Sequence, residues 1–266
     1  MNYWTQSEKN IYVAAHRGWS GKYPENTMEA FRGALELDVD QLETDVRVTA
    51  DGELILLHDA TVDRTTNGSG LAREMTFSQL RALDAGSWKD SRFAHCRIPT
   101  LREFMELVKD HPTITLDIEL KEYPIEGRDA LSYSVCDRVI AMLEEYNFLH
   151  RCVINSWNGK LHEYILTNYG DRCKQHVYFP QRYLGECTRD PYEYAYCTCV
   201  CGITKGETTV EEAVELHKRS GVRLWAGTYA KNEENINLAM AFGAELITCN
   251  HPDEVLEILR RKGVHR

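Results

Sequence analysis

The amino-acid sequence predicts an α/β fold: a closed (β/α)₈ barrel, or TIM barrel, with a small insertion after the second strand region. Short β-branched runs alternate with amphipathic helical patterns, which is typical of parallel α/β sheets. Eight such units can be counted, and a length of 266 residues suits a barrel of this kind. No linker rich in proline, glycine or serine divides the chain, so we predict that residues 1–266 form one domain.

The predicted strands are short runs rich in β-branched and aromatic residues. In chain order they cover residues 11–15, 41–48, 114–121, 152–156, 175–179, 196–202, 222–228 and 245–249. Apolar residues three and four apart predict helices between them, at residues 27–37, 129–146, 159–168, 210–219, 233–242 and 253–261. The fifth unit is the weakest, because Gly185 and Pro191 interrupt the stretch that should hold its helix.

Capping signals mark two helix starts. Asn26 is followed three residues later by Glu29, and Thr100 is followed by Glu103, so each pair predicts a helix amino terminus. Residues 59–97 break the alternation and are too many for a bare loop in a compact domain. Because this segment contains a short helical pattern at 76–83, we predict an insertion folded over one end of the barrel.

The net charge, the amino-terminal residues and the cysteine count exclude several classes of protein. With 31 basic and 41 acidic residues the net charge is −10, so we expect no binding to nucleic acid or anionic lipid. Residues 1–10 lack the apolar core of a signal peptide, and we expect no integral membrane segment. Nine cysteines, an odd number, do not suggest a disulfide framework. We therefore predict a cytoplasmic protein, and its oligomeric state is not determined by the sequence.

Two predicted strands carry carboxylates that should point into the barrel. Glu43 and Asp45 share one face of the second strand. Asp117, Glu119 and Lys121 share one face of the third, and the apolar residues of both strands occupy the opposite faces. An exposed edge strand could show the same alternation, but two such strands in one barrel would bury four carboxylates at a high cost. A bound cation would relieve that cost, and oxygen ligands favour Mg²⁺ or Ca²⁺ over zinc.

Two histidines follow predicted strand segments. His16 comes directly after residues 11–15, and His58 follows the apolar run 54–57. Because barrel active sites lie at the carboxyl ends of strands, we expect both imidazoles near the carboxylates. Arg17 and Lys121 would add local positive charge for an anionic substrate. This set suits hydrolysis of a phosphate ester, in which one histidine accepts a proton and the other donates one.

The other histidines receive no such role in this prediction. His251, just after the last strand, is undecided. Seven more are assigned to loops or helices: His95, His111, His150, His162, His176, His217 and His265.

A series of short motifs appears in order along the first half of the chain. These are HRG at 16–18, PENT at 24–27, ETD at 43–45, HD at 58–59, RTTNGSG at 64–70, LDAGSW at 83–88, IPTL at 98–101 and DIELK at 117–121. Their order and spacing resemble the glycerophosphodiester phosphodiesterase family, and weaker similarity continues through Ser156, Trp225 and ITCNHPDEV at 247–255. The resemblance implies a (β/α)₈ barrel that hydrolyses glycerophosphodiesters to an alcohol and sn-glycerol 3-phosphate.

The resemblance also assigns the metal and catalytic residues by position. It implies that Glu43, Asp45 and Glu119 bind one divalent cation, Mg²⁺ or Ca²⁺. It implies that His16 and His58 are the acid–base pair, without saying which is the acid. The nucleophile would be water or the 2-hydroxyl of the substrate's own glycerol.

The substrate contacts follow from the same resemblance. Arg17 and Lys121 would contact the phosphate, and Trp225 would wall the substrate pocket, although Trp225 could instead fill the barrel core. Glu25 and Asn26 would brace the site or only cap the helix.

Two alternative functions are also considered. A lysophospholipase D-like phosphodiesterase would need an exposed apolar rim, which the charged insertion does not suggest. A non-catalytic barrel that only binds glycerophosphodiesters would be expected to lack a histidine or a metal ligand, and none of these is missing. The preferred alcohol stays open, because Thr228, Glu245 and His251 depart from the family pattern.

Overall fold

The computed structural model describes residues 10–125 and 127–265. Within these ranges eight parallel strands close into a barrel, with helices between most of them, and a ninth, antiparallel strand lies at its side. The predicted fold class is confirmed. The prediction that no signal peptide is present concerns residues that lie mostly outside the described ranges.

The nine strands of the described residues form one sheet, in which all but the third along the chain are parallel. They are β1 (Tyr12–Ala15), β2 (Gln41–Val48), β3 (Leu54–Leu56), β4 (Thr115–Leu120), β5 (Cys152–Asn155), β6 (Lys174–Phe179), β7 (Cys197–Val200), β8 (Arg223–Ala226) and β9 (Leu246–Cys249). Hydrogen bonds connect them in the order β1, β9, β8, β7, β6, β5, β4, β2, and pairing of β1 with β2 closes the ring. The short antiparallel β3 pairs with the last three residues of β2, beyond the part of β2 that pairs with β1.

The α-helices agree with the sequence patterns in most units. They are α1 (Met28–Glu36), α2 (Phe77–Arg81), α3 (Leu101–Val108), α4 (Asp129–Glu145), α5 (Gly159–Tyr169), α6 (Val210–Ser220), α7 (Glu233–Ala241) and α8 (Pro252–Arg261). The fifth unit has two short 3₁₀ turns, Gln181–Leu184 and Pro191–Glu193, in place of an α-helix. None of the described helices is both long and apolar enough to cross a membrane.

Side chains alternate along β2 and β4 as predicted, with the apolar face of each strand toward the helices and the acidic face toward the barrel interior. Leu42 and Val46 belong to the large apolar cluster between the strands and the surrounding helices. The interior of the barrel holds a separate apolar cluster that includes Val153 and Trp225. The acidic residues of β2 and β4 therefore point toward the barrel axis, above this interior cluster.

Residues 59–97 form a compact segment with its own apolar cluster around Val62, Leu80 and Ala85. Thr76 caps α2 with a reciprocal hydrogen-bond pair to Gln79. The Nζ of Lys89 donates to the backbone oxygen of Ser20 at 2.7 Å, which attaches the segment near the carboxyl end of β1. The description of residues 1–266 as one domain with an insertion at 59–97 stays a prediction.

One capping prediction is wrong. The N-cap of α1 is Thr27, whose side chain accepts a hydrogen bond from the backbone of Ala30 at 3.3 Å. Asn26 lies one residue earlier in a left-handed conformation, with φ of 54°. Its side chain points into the barrel region and contacts Asp45, so the residue supports the site instead of the helix.

Both the backbone conformation at position 18 and the atoms that surround it require glycine there. Its φ is +73°, and a Cβ atom added there would lie 2.6 Å from the carbonyl carbon of Ala30. We expect Gly18→Ala to lower the free energy of unfolding by about 2–4 kcal/mol, since left-handed strain and overpacking add. Gly221 has φ of +72° with nothing within 4 Å of such a Cβ, so Gly221→Ala should cost only about 1–2 kcal/mol. Urea denaturation would measure both, and equal losses would contradict the steric argument.

Candidate active site

A cavity of about 380 Å³ opens at the carboxyl ends of the barrel strands. Its lining includes six of the residues that the sequence singled out: His16, Arg17, Glu43, His58, Glu119 and Lys121. Asp45 is completely buried behind this surface. The structure thus brings the predicted metal ligands, histidines and cations together at one mouth of the barrel.

The carboxylates of β2 and β4 are brought together by strand register. Glu43 is opposite Asp117, and Asp45 is opposite Glu119. Oxygen atoms of Glu43, Asp45 and Glu119 all lie within 4.8 Å of one another, and all three side chains are buried. This arrangement could hold a metal ion.

Asp45 is held between two cations. The Nε of Arg17 lies 3.1 Å from its Oδ2 atom, and the Nζ of Lys121 lies 3.1 Å from its Oδ1 atom. The side-chain amide of Asn26 also donates to Oδ2 at 2.8 Å. Burial opposes ionisation, but Lys121 and Arg17 outweigh it and hold the pKa of Asp45 below its ordinary value. Asp45 is therefore the permanently ionised member of the cluster.

The pKa values of the other two carboxylates are raised, which shows that Arg17 and Lys121 do not balance the negative charge of the whole cluster. Burial, together with repulsion from Asp45, raises the pKa of Glu43 well above its ordinary value. Burial also raises the pKa of Glu119, even though the ammonium of Lys121 contacts it. An added divalent cation would favour the ionised forms of both glutamates. Because the donors are all carboxylate oxygens, they fit Mg²⁺ or Ca²⁺.

Arg17 links this cluster to a second charged group. Its backbone N–H donates to Glu43 at 2.8 Å, and its Nη1 donates to Glu25 at 2.8 Å. Glu25 also accepts two hydrogen bonds from Arg64, at 2.9 and 2.7 Å. Arg17 has φ of 55°, an uncommon conformation for a residue with a side chain, and such strain is often found at functional sites.

His16 is positioned by an amide. Its Nδ1 lies 2.6 Å from the side-chain oxygen of Asn250, and its Nε2 lies 3.8 Å from Glu43. Burial and the neighbouring charge of Arg17 lower the pKa of His16 to about 4. The imidazole is therefore neutral at pH 7.

His58 is positioned by a carboxylate instead. It reaches the mouth because β3 runs back along β2, and the backbone N–H of Leu57 donates to the backbone oxygen of Asp45 at 3.1 Å. The Nδ1 of His58 lies 2.6 Å from Asp59, which accepts a hydrogen bond from Arg64 at 2.6 Å. Burial lowers the pKa of His58, while Asp59 opposes that shift. The hydrogen bond from Arg64 lowers the pKa of Asp59 to about 2, which keeps this carboxylate charged.

Trp225 lies in the apolar interior of the barrel. It is 2% exposed, packs in the apolar cluster inside the barrel and is not among the residues that line this cavity. Its ring makes an edge contact with His176, with centroids 4.9 Å apart. The structure therefore agrees with the alternative in which Trp225 fills the barrel core.

The assignment of His176 to a loop or helix is wrong, and it conflicts with the strand predicted at residues 175–179, which the structure confirms. It lies within β6, lines the cavity, and places its Nδ1 atom 2.7 Å from Oδ2 of Asp117. The alternation along β6 was the available signal, since it puts His176 and Tyr178 on one face and Gln175 on the other. The partner carboxylate is 59 residues away in sequence, so the pair itself could not be read locally.

A model of the glycerophosphoryl diester phosphodiesterase family matches residues 16–254. The chain is 34% identical over 253 residues to a glycerophosphodiester phosphodiesterase of Caldanaerobacter subterraneus subsp. tengcongensis, covering 94% of this chain and 98% of that protein. It is 35% identical over 148 residues to the Bacillus altitudinis glycerophosphodiester phosphodiesterase, covering 55% of this chain and 58% of that one.

Solved structures share the fold at lower sequence identity. An Oleispira antarctica phosphodiesterase, determined in complex with its product sn-glycerol-3-phosphate, matches with a TM-score of 0.77 and 22% identity over 94% of this chain and 97% of that one. A glycerophosphodiester phosphodiesterase from Agrobacterium tumefaciens matches with a TM-score of 0.71 and 22% identity over 92% and 98% of the two chains. Both support the barrel architecture.

Proposed function

The chain belongs to the glycerophosphoryl diester phosphodiesterase family, and from this membership we propose that it hydrolyses glycerophosphodiesters to an alcohol and sn-glycerol 3-phosphate. One observation supports this most directly. Three clustered carboxylates, two histidines and two fixed cations converge at one cavity. Each of these groups answers a requirement of phosphodiester hydrolysis.

Glu43, Asp45 and Glu119 would hold one divalent cation, either Mg²⁺ or Ca²⁺. When bound, the cation would stabilise negative charge that develops on the phosphoryl oxygens. Arg17 and Lys121 are placed beside the same carboxylates. They would therefore orient the phosphate and attract an anionic substrate to a protein of net negative charge.

The two histidines have different environments, which suggests different roles. His16 has a low pKa and a neutral amide partner, so we assign it as the base that accepts the proton of the nucleophile. The pKa of His58 is also lowered by burial, but its carboxylate partner Asp59 opposes that lowering, so of the two imidazoles we assign His58 as the acid that protonates the leaving alkoxide. Arg64 holds Asp59 in place for this interaction.

The nucleophile is either water or the 2-hydroxyl of the substrate's glycerol. An intramolecular hydroxyl has a large effective-molarity advantage, because it is already held beside the phosphorus atom. A diester that lacks the 2-hydroxyl would distinguish the two. Unchanged turnover of that substrate would indicate water.

A panel of glycerophosphodiesters tests the proposed function. Purified protein would be incubated with diesters of choline, ethanolamine, inositol and glycerol, with and without a chelator, while release of sn-glycerol 3-phosphate is measured. Lysophosphatidylcholine, in the same assay, tests the lysophospholipase D-like alternative. Release from the diesters alone supports the proposal; binding without release would indicate the non-catalytic barrel.

Arg17→Lys is expected to lower kcat/KM about 10- to 100-fold, although the charge is retained. The guanidinium already contacts Glu25 and Asp45 with two different nitrogens, and an ammonium cannot reproduce this geometry while facing the phosphate. Arg32→Lys, on the exposed side of α1, is the matched control and should leave kcat/KM unchanged. Parent-like activity of Arg17→Lys would exclude a planar contact.

The cytoplasmic location stays a prediction. Its structural support is that the nine cysteines, all within the described residues, are free thiols. The oligomeric state remains to be measured.

A further inference from the structure

The cavity floor contains a polar pair that the proposed acid–base and metal residues do not use. Asp117 is completely buried and His176 is 4% exposed, and both line the cavity. The Nδ1–H of His176 donates to Oδ2 of Asp117 at 2.7 Å. Stacking on Tyr178, with centroids 5.4 Å apart, and the edge contact with Trp225 fix the orientation of the ring.

Several polar atoms on this floor have no partner among the described residues. They are Nε2 of His176, Oδ1 of Asp117 and Oδ1 of Asn155. Asn155 also lines the cavity, and its backbone is in register with His176 across the β5–β6 pair. Buried polar atoms are almost always hydrogen-bonded in folded proteins, so a set of unpartnered atoms on residues that line a cavity indicates a place for a polar ligand group.

The position of the pair relates it to the substrate. In the ring of eight strands, β6 lies directly across the barrel from β1, which ends at His16. Asp117 is in register with Glu43 on the neighbouring strand. If a phosphate is held near Glu43, Arg17 and Lys121, a substituent that extends across the cavity would meet His176.

We propose that the Nε2 atom of His176, positioned by Asp117, binds the terminal hydroxyl of the substrate's glycerol and makes the enzyme selective for it. This inference rests on the proposed function. A hydroxyl fits this floor because it can accept from Nε2–H or donate to an unprotonated Nε2, and a second hydrogen bond can involve Asn155. A phosphate or carboxylate is disfavoured there by the charge of Asp117. The glycerol, not the alcohol, is assigned to the floor because it is constant among substrates, whereas alcohols of different sizes need the open side of the cavity.

The test compares two ligands that differ by this hydroxyl. Binding of sn-glycerol 3-phosphate and of 1,2-propanediol phosphate, which lacks the terminal hydroxyl, would be measured by calorimetry with the activating cation present. The parent should prefer sn-glycerol 3-phosphate at least about tenfold, since loss of the hydroxyl leaves buried polar atoms unpaired. His176→Phe keeps the ring packing and should remove most of that preference. His111→Phe, which follows α3 at the opposite end of the barrel, should retain it.

A second variant and a second pair of substrates complete the test. If His176→Phe does not fold, as judged by circular dichroism, His176→Gln retains a hydrogen-bonding group and should keep part of the preference. A second pair of diesters, glycerophosphoethanol and its ethylene glycol counterpart, places the extra hydroxyl on the alcohol. A change of selectivity in this pair alone would overturn the assignment to glycerol, as would equal affinity of the parent for the first two ligands. A parent protein that hydrolyses no glycerophosphodiester would instead refute the proposed function.

Discussion

Turnover is expected to fall by at least about 10³-fold when Glu43, Asp45 or Glu119 is replaced by alanine, because a metal ion contributes several kcal/mol of charge stabilisation to phosphoryl chemistry. Dialysis against excess EDTA should have the same effect on the parent. Added Mg²⁺ or Ca²⁺ should restore activity to the parent and not to the variants. Initial rates on the best diester of the panel would measure each change.

Isosteric variants separate loss of the cation from damage to the fold. Glu119→Gln and Asp45→Asn keep the side-chain volume, and the bound metal can be counted directly by elemental analysis. Asp45→Asn should have the broader effect, because Asp45 also holds Arg17 and Lys121. Glu36→Gln, on the exposed surface of α1, is the control and should retain full activity and metal content. Full activity of the parent after exhaustive chelation would refute the metal hypothesis.

The strand patterns predicted the faces of β2 and β4 because alternation is a local property of the chain. Residues 41–48 were predicted as a strand and form β2 with the same bounds. The placement of Glu43 and Asp45 inside the barrel followed from the apolar character of Leu42 and Val46. The height of a side chain along the barrel axis, in contrast, depends on how far neighbouring strands are shifted relative to one another, which is not a local property of the sequence. For this reason the sequence leaves open whether Trp225 walls the pocket or fills the barrel core, whereas the structure shows it on β8 in the apolar cluster inside the barrel.

Contacts between distant segments could not be predicted from single motifs. The sequence around Asn26 reads as a helix cap, yet its amide holds a carboxylate 19 residues away. Arg64 joins Glu25 and Asp59 from within the insertion, and no local pattern indicates these pairs. Both are decided by how the loops at the mouth pack together. The sequence predicts the candidate metal ligands and histidines, whereas the contacts that support them are seen only in the folded structure.

Removal of either imidazole is expected to lower the rate on a natural diester by about 10²–10⁴-fold, the usual contribution of general acid–base catalysis. The dependence of kcat/KM on pH should be bell-shaped. Below the pKa of His16, near 4, the base gains a proton and the rate falls. Above the pKa of His58, which burial lowers from the ordinary value of about 6.5, the acid loses its proton and the rate falls again. Asp59→Asn removes the partner that opposes this lowering, so the alkaline limb should move to lower pH.

A substrate with an activated leaving group assigns the two roles. A p-nitrophenyl diester of glycerol phosphate releases a phenolate that needs little protonation, so a variant without the acid should recover on it. We therefore expect His58→Ala to approach the parent rate with this substrate, while His16→Ala stays impaired because deprotonation of the nucleophile is still required. His95→Ala, at an exposed position in the insertion, should behave like the parent on both substrates. Recovery of His16→Ala alone would reverse the assignment, and equal recovery of both variants would show that the histidines do not act as an acid–base pair.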